Sequence, residues 1–340
     1  MRLSELTTLR VGGPAGSYTR AETADAVVDA VRAADEAARP VLVVGGGSNL
    51  LVADSGFPGE VVHIVSRGVE VESDDSCGGV NVRLAAGEPW DAFVAQAVAQ
   101  GWAGVECLSG IPGSTGATPI QNVGAYGQEV SATIAQVRVW DRDAAEIRTL
   151  ANADCGFAYR ASRFKGTTRY VVLEVVFQLR GGELSEPIAY AELARRLGVT
   201  EGGRAPLGDV RAAVLELRAG KAMVLDADDH DTWSAGSFFT NPILAAEVAA
   251  ALPDDAPRWP QPDGRVKTSA AWLIERAGFG KGYRADTAAG ISTKHTLAIT
   301  NRGDASAADV VDLALELQDG VQDRFGVTLV PEPTLVGLTL

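Results

Sequence analysis

The feature that most constrains the fold is the segment at residues 110–129 (GIPGSTGATPIQNVGAYGQE), which holds five glycines and two prolines. It has neither helical nor strand periodicity, and its only charge is its last residue. Long, nearly uncharged loops inside compact proteins are uncommon and more often functional than not. Glycine lets the backbone approach a ligand closely, and the N–H groups of such loops form concave anion sites. The segment therefore predicts a loop that lies along a dinucleotide cofactor; a tight Gly/Pro loop packed on its own domain is the alternative.

Composition narrows the class of protein. The 340 residues are 46% hydrophobic and 22% charged, the balance of a globular protein that needs no disulfide bonds to build its core. The formal net charge of −14 disfavours nucleic acid and anionic membrane surfaces as partners. An anionic substrate must therefore be held by a local group of cations.

The cysteines and the first residues predict a cytoplasmic protein. Cys77, Cys107 and Cys155 lie far apart and form no CxxC motif, so they predict neither a disulfide framework nor a zinc site. No apolar run follows Met1, and no stretch has the length of a transmembrane helix. The acidic run at residues 226–231 is interpreted as a solvated loop rather than a metal site.

A second glycine-rich turn follows the first predicted buried strand. Thr23 is the predicted N-cap of a helix that stops before Pro40, and the short strand Val41–Val44 comes next. This strand runs directly into Gly45, Gly46, Gly47, Ser48 and Asn49. A strand that feeds a glycine turn is typical of a phosphate cradle, but the turn lacks the GxGxxG fingerprint of a plain Rossmann fold.

The remaining pattern mixes helices and strands, with Gly181-Gly182 as a predicted boundary. Strands are predicted at 61–65, 69–72, 80–85, 134–140, 145–150, 170–179, 233–240, 296–300 and 327–340. Helices are predicted at 89–100, 190–197, 207–219, 244–252, 268–277 and 305–325.

Three residues could carry chemistry, and each has an ordinary structural alternative. Ser237 lacks the GxSxG context of a hydrolase nucleophile, so a buried core hydroxyl is its default interpretation. Arg160 lies in YRASRFK, whose three cations can clamp a carboxylate or phosphate, or can simply face solvent. Glu332 stands between two prolines, which suits a rigidly placed acid or the end of an edge strand.

Five motifs occur in order along the chain: VVGGGSNLLVADSGF at 43–57, the loop at 110–129, YRASRFK at 159–165, AGSFFTNP at 235–242, and Pro331-Glu332. Together they resemble the UDP-N-acetylenolpyruvoylglucosamine reductase family, the flavoenzymes that make UDP-N-acetylmuramate for peptidoglycan. The segment LTTLRVGGPA at 6–15 is similar to the start of the family's sequences. The resemblance spans nearly the whole chain.

The resemblance implies an α+β protein with the FAD-binding fold of the p-cresol methylhydroxylase type. It implies two FAD-binding subdomains, at 1–70 and 71–205, and a third α+β substrate domain at 206–326. The strand at 327–340 is expected to return to the first subdomain. A monomer is also expected.

The resemblance implies non-covalent FAD as cofactor and NADPH as hydride donor. The turn at Gly45 carries no histidine or cysteine that could tether a flavin. The residues implied to line FAD are Gly45, Gly46, Gly47, Ser48, Asn49, Gly113, Ser114, Gly116, Thr118, Pro119, Gln121, Asn122, Gly124, Ala125 and Tyr126.

The implied reaction passes hydride from NADPH to FAD, and then from flavin N5 to C3 of the enolpyruvyl substrate. Charge develops on C2 and the carboxylate before C2 is protonated. By motif, Ser237 is the proton donor, while Arg160 and Glu332 polarise the carboxylate. Such chemistry requires a carboxylate clamp and a positioned acid.

The resemblance also implies the form of the family with a substrate-closing tyrosine loop, here IAYAEL at 188–193. Tyr190, Lys221, Asn241 and His295 are the implied ligands of the substrate diphosphate. Lys221 would supply the local cation that an acidic protein needs.

Two other functions stay open at this point. One is another FAD oxidoreductase of the same fold that acts on an alcohol or hydroxy acid. The other is a non-catalytic nucleotide-binding module, against which the joint presence of Arg160, Ser237 and Glu332 argues.

Overall fold

The computed structural model of the chain describes residues 1–75 and 79–340, so Cys77 lies outside the described residues. Helices and strands are interspersed along the chain, as the predicted α+β class requires. The described residues form two compact units. The central unit comprises Ala15–Gly46 and Pro58–Gly220, and the terminal unit comprises Met1–Pro14, Gly47–Phe57 and Lys221–Leu340.

An antiparallel sheet forms the middle of the central unit. Its strands lie in the order Glu146–Ala151, Ile134–Asp141, Tyr170–Gly181, Gly79–Ala85 and Val69–Asp75. The short strand Trp102–Ala103 also pairs with Tyr170–Gly181. The predicted hairpin is present, with Val137 opposite Leu150. Residues 171–173 and 175–177 are buried, because a strand in the middle of a covered sheet packs on both faces.

A second, smaller sheet of the central unit leads to the first glycine turn. Its strands lie in the order Ala15–Ala21, Phe57–Ile64 and Val41–Val44, and the last two run parallel. The helix Ala24–Glu36 begins as predicted, because the Thr23 side chain accepts a hydrogen bond from Ala26 N. The strand Val41–Val44 ends immediately before Gly45.

Helices and aromatic side chains complete the central unit. The helices are Ala24–Glu36, Trp90–Ala99, Ala191–Leu197 and Leu207–Ala219. Trp90, Phe93 and Phe177 are fully buried, and the ring centroids of Phe93 and Phe177 lie 5.6 Å apart. Burial of a large apolar side chain of this kind stabilises a fold by about 1.5–3 kcal/mol. This cluster fixes the position of the helix that begins at Trp90. The start of that helix in turn holds the glycine-rich loop at residues 110–129.

The terminal unit is assembled from three separate segments of the chain. Its helices are Ala246–Ala250, Ala270–Arg276 and Ala307–Phe325. Its strand pairs are Leu50–Val52 with Thr334–Val336, Ala289–Ile291 with Ile299–Asn301, and Val266–Lys267 with both Ile243–Leu244 and Trp259–Pro260. The long helix has a capping box formed by Ser306 and Asp309, and it ends at Gly326 with φ 66°.

Two predicted strands of the terminal unit are wrong as regular strands. Residues 233–240 form only isolated bridges, from Ser234 to Thr300 and from Phe239 to Pro331. Gly236, with φ 75°, interrupts the extended backbone. Of residues 327–340 only Thr334–Val336 is strand, since neither proline beside Glu332 can donate to a ladder.

The acidic run is only partly a solvated loop. Asp226 and Asp228 are exposed, but Asp231 is buried and accepts hydrogen bonds from the Thr293 hydroxyl at 2.5 Å, from Thr293 N at 3.0 Å and from Arg302 at 2.7 Å. Burial raises the pKa of Asp231, but these bonds outweigh it and the net pKa is lowered. The predicted solvation is therefore wrong for Asp231.

Neither a metal cluster nor a membrane span is found in residues 1–75 and 79–340. No three His, Cys, Asp or Glu side chains in those ranges are grouped to hold a metal ion. No helix there combines the length and apolar character needed to cross a bilayer.

The boundary between the two units does not lie at Gly181-Gly182, where the sequence pattern predicted a boundary. Residues that follow Gly181-Gly182 continue in the central unit, which ends at Gly220. The three-part division at 1–70, 71–205 and 206–326 stays a prediction.

Candidate cofactor and substrate site

The two glycine-rich segments contact each other backbone to backbone. A Cβ atom on Gly45 would lie 2.1 Å from Ser114 Oγ, and one on Gly46 would lie 2.6 Å from the Cα atom of Gly113. Real side chains do not approach so closely, so glycine is required at Gly46 for this contact. The two segments therefore pack closely through the Gly46 and Gly113 backbones and the Ser114 side chain, and the backbone N–H groups of glycine loops of this kind suit a nucleotide diphosphate.

His63 supports the first glycine turn from the neighbouring strand. Its Nδ1 atom lies 2.9 Å from the Tyr18 hydroxyl, and its ring also forms a hydrogen bond with the backbone of Gly45. Burial, together with the nearby charge of Arg20, lowers the pKa of His63. The sequence pattern gave no indication of this contact.

The first half of the long loop is fixed to the start of the helix Trp90–Ala99. Trp90 N donates to Gly113 O at 3.1 Å, and Gly116 N donates to Ala86 O at 2.8 Å. Ser114, Thr115, Gly116, Thr118 and Pro119 are all buried. This half of the loop is therefore a rigid structure rather than a surface linker.

A charged pair holds the first residue of the loop. Gly110 N donates to Asp91 Oδ1 at 2.6 Å, and Arg211 donates to both Asp91 carboxylate oxygens, at 2.7 and 2.9 Å. Burial raises the pKa of Asp91, but the hydrogen bonds from Arg211 and Gly110 lower it by more than burial raises it. The net pKa of Asp91 is therefore below its usual range. Asp91 thus links the loop to the helix Leu207–Ala219.

Asn122 organises the second half of the loop. Its Nδ2 group donates to Glu129 Oε2 at 2.8 Å and to Ala158 O at 3.2 Å, and its Oδ1 accepts from Ser131 N at 3.1 Å. Asn122 is buried and all three of these side-chain bonds are internal, so its side chain serves to hold the loop. Gln121, Gly124, Ala125 and Tyr126 are partly exposed.

Arg160 lies against this loop. Its guanidinium donates to Asn122 O at 3.3 Å and to Gly124 O at 2.8 Å. A Cβ atom on Gly124 would lie 3.2 Å from Arg160 Nη1, so the absence of a side chain there permits the approach. Arginine has five N–H donors. The loop carbonyls of Asn122 and Gly124 accept from two of them and so fix the plane of the guanidinium.

The predicted tyrosine loop contacts the end of the same long loop. Tyr190 is 46% exposed, and its ring meets that of Tyr126 edge to face with centroids 5.5 Å apart. Ile188 is buried in a small cluster that includes Leu193, Val210 and Val214. The structure thus places Tyr190, Arg160 and the predicted FAD loop together in the central unit.

In the terminal unit, the rest of the glycine turn packs on the opening motif of the chain. Gly47 has φ 58°, and a Cβ atom there would lie 1.7 Å from Leu6 O. Thr8 N donates to Gly47 O at 3.3 Å. Asn49 donates through Nδ2 to Glu332 O at 3.2 Å, which connects the turn to the predicted acid. Ser48 lies between these anchors and is partly exposed.

Backbone hydrogen bonds bring the segments of Ser237, Glu332 and His295 together. Phe238 N donates to Leu297 O at 2.7 Å, and Glu332 N donates to Phe238 O at 2.8 Å. Ser237 precedes Phe238, and His295 lies in the turn that ends at Leu297. Ser237, His295 and Glu332 are each partly exposed, so their side chains are accessible while the buried Phe238 holds the backbone.

Asn241 and Lys221 have different surroundings. Asn241 accepts a hydrogen bond from Ala270 N at 3.0 Å, at the start of the helix Ala270–Arg276. Lys221 is partly buried and begins the third segment of the terminal unit. That these two residues bind one diphosphate stays a prediction.

The residues present fit a flavin nucleotide. The Gly46 and Gly113 backbones approach so closely that a Cβ atom on Gly46 would clash, and the loop that follows Gly113 offers rigid, mostly uncharged backbone. The supporting residues Asp91, Arg211 and His63 belong to no motif in the sequence. Arg211 and Asp91 are far apart in sequence, and no local pattern indicates that they pair.

Comparisons with known proteins agree with the geometry. Residues 16–150 match an FAD binding domain, and residues 228–336 match the C-terminal domain of UDP-N-acetylenolpyruvoylglucosamine reductase. The chain is 56% identical to UDP-N-acetylenolpyruvoylglucosamine reductase of Thermobifida fusca, over 99% of this chain and 97% of that protein. It is 55% identical to the enzyme of the same name from Streptomyces coelicolor, over 99% of this chain and 90% of that protein.

A solved structure of a reductase from the same family is also similar to this chain. UDP-N-acetylenolpyruvylglucosamine reductase (MurB) from Thermus caldophilus superposes with a TM-score of 0.66 at 26% identity, covering 99% of this chain and 97% of that one. The predicted α+β fold with an FAD-binding domain is confirmed. The chain belongs to the UDP-N-acetylenolpyruvoylglucosamine reductase family.

Proposed function

We propose that this chain uses NADPH and bound FAD to reduce UDP-N-acetylglucosamine enolpyruvate to UDP-N-acetylmuramate, in peptidoglycan precursor synthesis. The observation that carries the proposal is the Arg160 guanidinium, which is oriented by the carbonyls of Asn122 and Gly124 on the glycine-rich loop. An arginine fixed in this way can bind a carboxylate in one defined orientation.

The cofactor is held without a covalent bond. The two glycine-rich segments, one from Gly45 to Asn49 and the other from Gly113 to Tyr126, would line its diphosphate and flavin. When bound, FAD supplies the hydride-transfer chemistry between NADPH and the enolpyruvyl group. The chain supplies rigidity, because Asp91, Asn122 and Trp90 fix the loop from its protein side.

Ser237, Arg160 and Glu332 perform the rest of the reaction. Addition of hydride to C3 of the enolpyruvyl group places negative charge on C2 and on the carboxylate. Arg160 and Glu332 stabilise that charge, with Glu332 acting as a protonated acid. Ser237 donates the proton that C2 requires, so that hydride and proton together saturate the C2–C3 double bond.

The diphosphate of the substrate is held by Tyr190, Lys221, Asn241 and His295. The half-exposed ring of Tyr190, which packs edge to face on Tyr126 beside the glycine-rich loop, supports this role. The side-chain oxygen of Asn241 accepts a hydrogen bond from Ala270 N at the start of a helix. The side-chain amide nitrogen of Asn241 is the group that would donate to a phosphate oxygen.

Separate measurement of the two half-reactions tests this function. NADPH added without oxygen should bleach the flavin absorbance, and the enolpyruvyl substrate should restore it. The variant Ser237→Ala should be reduced by NADPH at the wild-type rate, while reoxidation by substrate falls by about 10²–10⁴-fold, the usual contribution of a general acid.

Ser234→Ala is a matched control, since the Ser234 hydroxyl accepts a bond from Gly236 N and takes no part in the chemistry. It should keep both rates within a few-fold. Wild-type reduced flavin that is not reoxidised by the substrate contradicts the proposed function. Normal reoxidation of Ser237→Ala contradicts the role of Ser237.

We also propose that the chain acts as a monomer in the cytoplasm. Light scattering of the holoenzyme should give a mass near 35.4 kDa. A stable mass twice as large would contradict the monomer.

A further inference from the structure

Arg160 occupies an unfavourable backbone conformation in a closed turn. Ala158 N donates to Ala161 O at 3.0 Å, and Ala161 N donates to Ala158 O at 3.1 Å, so that Tyr159 and Arg160 are the two residues at its tip. Arg160 has φ 51°, in the left-handed region. That region costs a non-glycine residue roughly 1–2 kcal/mol, so the neighbours must hold the residue there.

Lys165 forms a direct contact with the backbone of this strained residue. Its ammonium group donates to Arg160 O at 3.1 Å. A charged donor makes a stronger hydrogen bond than a neutral one. The orientation of the Arg160 carbonyl is set by the ψ angle of that residue, so Lys165 restrains the peptide plane that follows the catalytic side chain.

Two further bonds fasten the turn to the glycine-rich loop. Asn122 donates to Ala158 O at 3.2 Å, and the Ser162 hydroxyl donates to Ile120 O. The guanidinium of Arg160 itself lies on Asn122 O and Gly124 O. The turn is therefore fixed on both sides of Arg160 to the loop, and Lys165 is the component that acts on the Arg160 backbone itself.

The three cations of YRASRFK thus have different surroundings. Arg163 is exposed, and its backbone N–H, rather than its guanidinium, bonds to Cys155 O. Lys165 is partly buried and faces inward to the turn. The local sequence does not distinguish the three cations. In the structure, Arg160 is the catalytic candidate, Lys165 supports its backbone, and Arg163 faces solvent.

We propose that Lys165 is a positioning residue for the Arg160 guanidinium, acting through the Arg160 carbonyl, and that it serves the half-reaction in which the enolpyruvyl group is reduced. This inference rests on the proposed function. Lys165 does not bind the substrate. Its removal lets the turn relax, which shifts the guanidinium relative to the loop carbonyls.

The test compares Lys165→Met with Arg163→Met in the FAD-loaded enzyme. Both variants remove one cation from the same segment and keep an unbranched side chain. Lys165→Met should slow reoxidation of the reduced flavin by the enolpyruvyl substrate by about 10²-fold, the usual cost of misplacing a catalytic group by an ångström. Its KM for that substrate and its rate of reduction by NADPH should stay within about twofold. Arg163→Met should change neither half-reaction.

Two additional variants identify the route of the effect. Lys165→Arg retains a charged donor and should recover most of the reoxidation rate. In an Arg160→Ala background, Lys165→Met should have no further effect on reoxidation, since a positioning residue loses its role when its target is absent.

Each contrary outcome overturns the inference. A wild-type reoxidation rate in Lys165→Met shows that the contact does not position Arg160. A raised KM with unchanged kcat makes Lys165 a substrate ligand. An additive effect in the Arg160→Ala background, or loss of bound FAD from Lys165→Met, assigns the residue a role independent of Arg160. Failure of the wild-type enzyme to react with the substrate is a separate result, which concerns the proposed function alone.

Discussion

The two clusters of predicted site residues are held in place by different kinds of bond. In the central unit, side chains fix the glycine-rich loop: Asp91 binds Gly110 N, and Asn122 binds both Glu129 and Ala158 O. In the terminal unit, the segments of Ser237 and Glu332 are joined through the backbone of Phe238. The loop cluster is therefore held largely by polar side chains, whereas backbone bonds join the Ser237 and Glu332 segments, with one added side-chain bond from Asn49 to Glu332 O.

This difference determines what substitutions should do. A side-chain change in the loop cluster should alter geometry and stability, because the side chain is itself a structural bond. A side-chain change in the Ser237 cluster should alter chemistry with little effect on the fold, because its backbone bonds survive. Substitutions in each cluster test this contrast.

Gly46→Ala should break the contact between the two glycine loops. The added Cβ atom would lie 2.6 Å from Gly113 Cα, and Trp90 N holds the Gly113 carbonyl in place. We expect a loss of FAD affinity of about 100-fold or more, measured by fluorescence titration of the apoprotein, because a misaligned cradle loses several contacts together.

Gly208→Ala is the control for that variant, since a Cβ atom at Gly208 meets nothing within 4 Å. It should keep wild-type FAD affinity. Wild-type affinity in Gly46→Ala would show that the contact between the loops does not form part of the cofactor site.

Asn122→Asp and Asn241→Asp compare the two clusters with the same chemical change. Asp at 122 removes two donors and places a carboxylate beside Glu129, so the free energy of unfolding should fall by about 3 kcal/mol. Asp at 241 keeps the acceptor for Ala270 N at a helix start, where negative charge is favourable, so stability should change by less than about 0.5 kcal/mol.

Urea denaturation of both variants provides the measurement. Equal losses of stability in the two variants would remove the contrast between the clusters. A stable Asn122→Asp variant would mean that the side-chain bonds of Asn122 do not hold the loop.

Asp91 should make the loop cluster sensitive to acid. Its pKa is lowered in the folded protein, so its stabilising effect is complete above the unfolded pKa of about 4 and is lost as pH falls through the folded value. Because Asp91 is partly exposed, Asp91→Asn should cost only about 1 kcal/mol at pH 7. The difference in unfolding free energy between wild type and variant should shrink toward pH 3, and a difference that grows on acidification would reverse the assigned sign.

Local sequence rules were sufficient for elements that depend on neighbouring residues. The Thr23 cap, the helix Leu207–Ala219 and the hairpin of Ile134–Asp141 were all predicted, because caps and alternation act over a few residues. The segment at 233–240 was not, since its apolar residues suggested a strand while Gly236 and long-range bonds to Leu297 and Glu332 determine its path.

In the candidate site, too, local features could be predicted from the sequence and long-range contacts could not. Glycine content alone identified both loops, but their mutual contact joins Gly46 to Gly113 and has no local signal. Lys165 lies in the same motif as Arg163, and its burial and its bond to Arg160 O, which no local pattern predicts, distinguish the two residues. Motif composition therefore indicates which segments could carry chemistry, and tertiary contacts distinguish the surroundings of the residues within them.

The terminal unit also has a consequence for synthesis on the ribosome. Its strand Leu50–Val52 pairs in parallel with Thr334–Val336, whereas the central unit is complete once Gly220 has emerged. At usual elongation rates the early strand waits on the order of tens of seconds for its partner. Throughout that interval a nascent chain exposes the unpaired edge of Leu50–Val52, the kind of surface that invites wrong pairing. A ribosome stalled before residue 334 should therefore carry a folded central unit and a terminal unit that depends on chaperones.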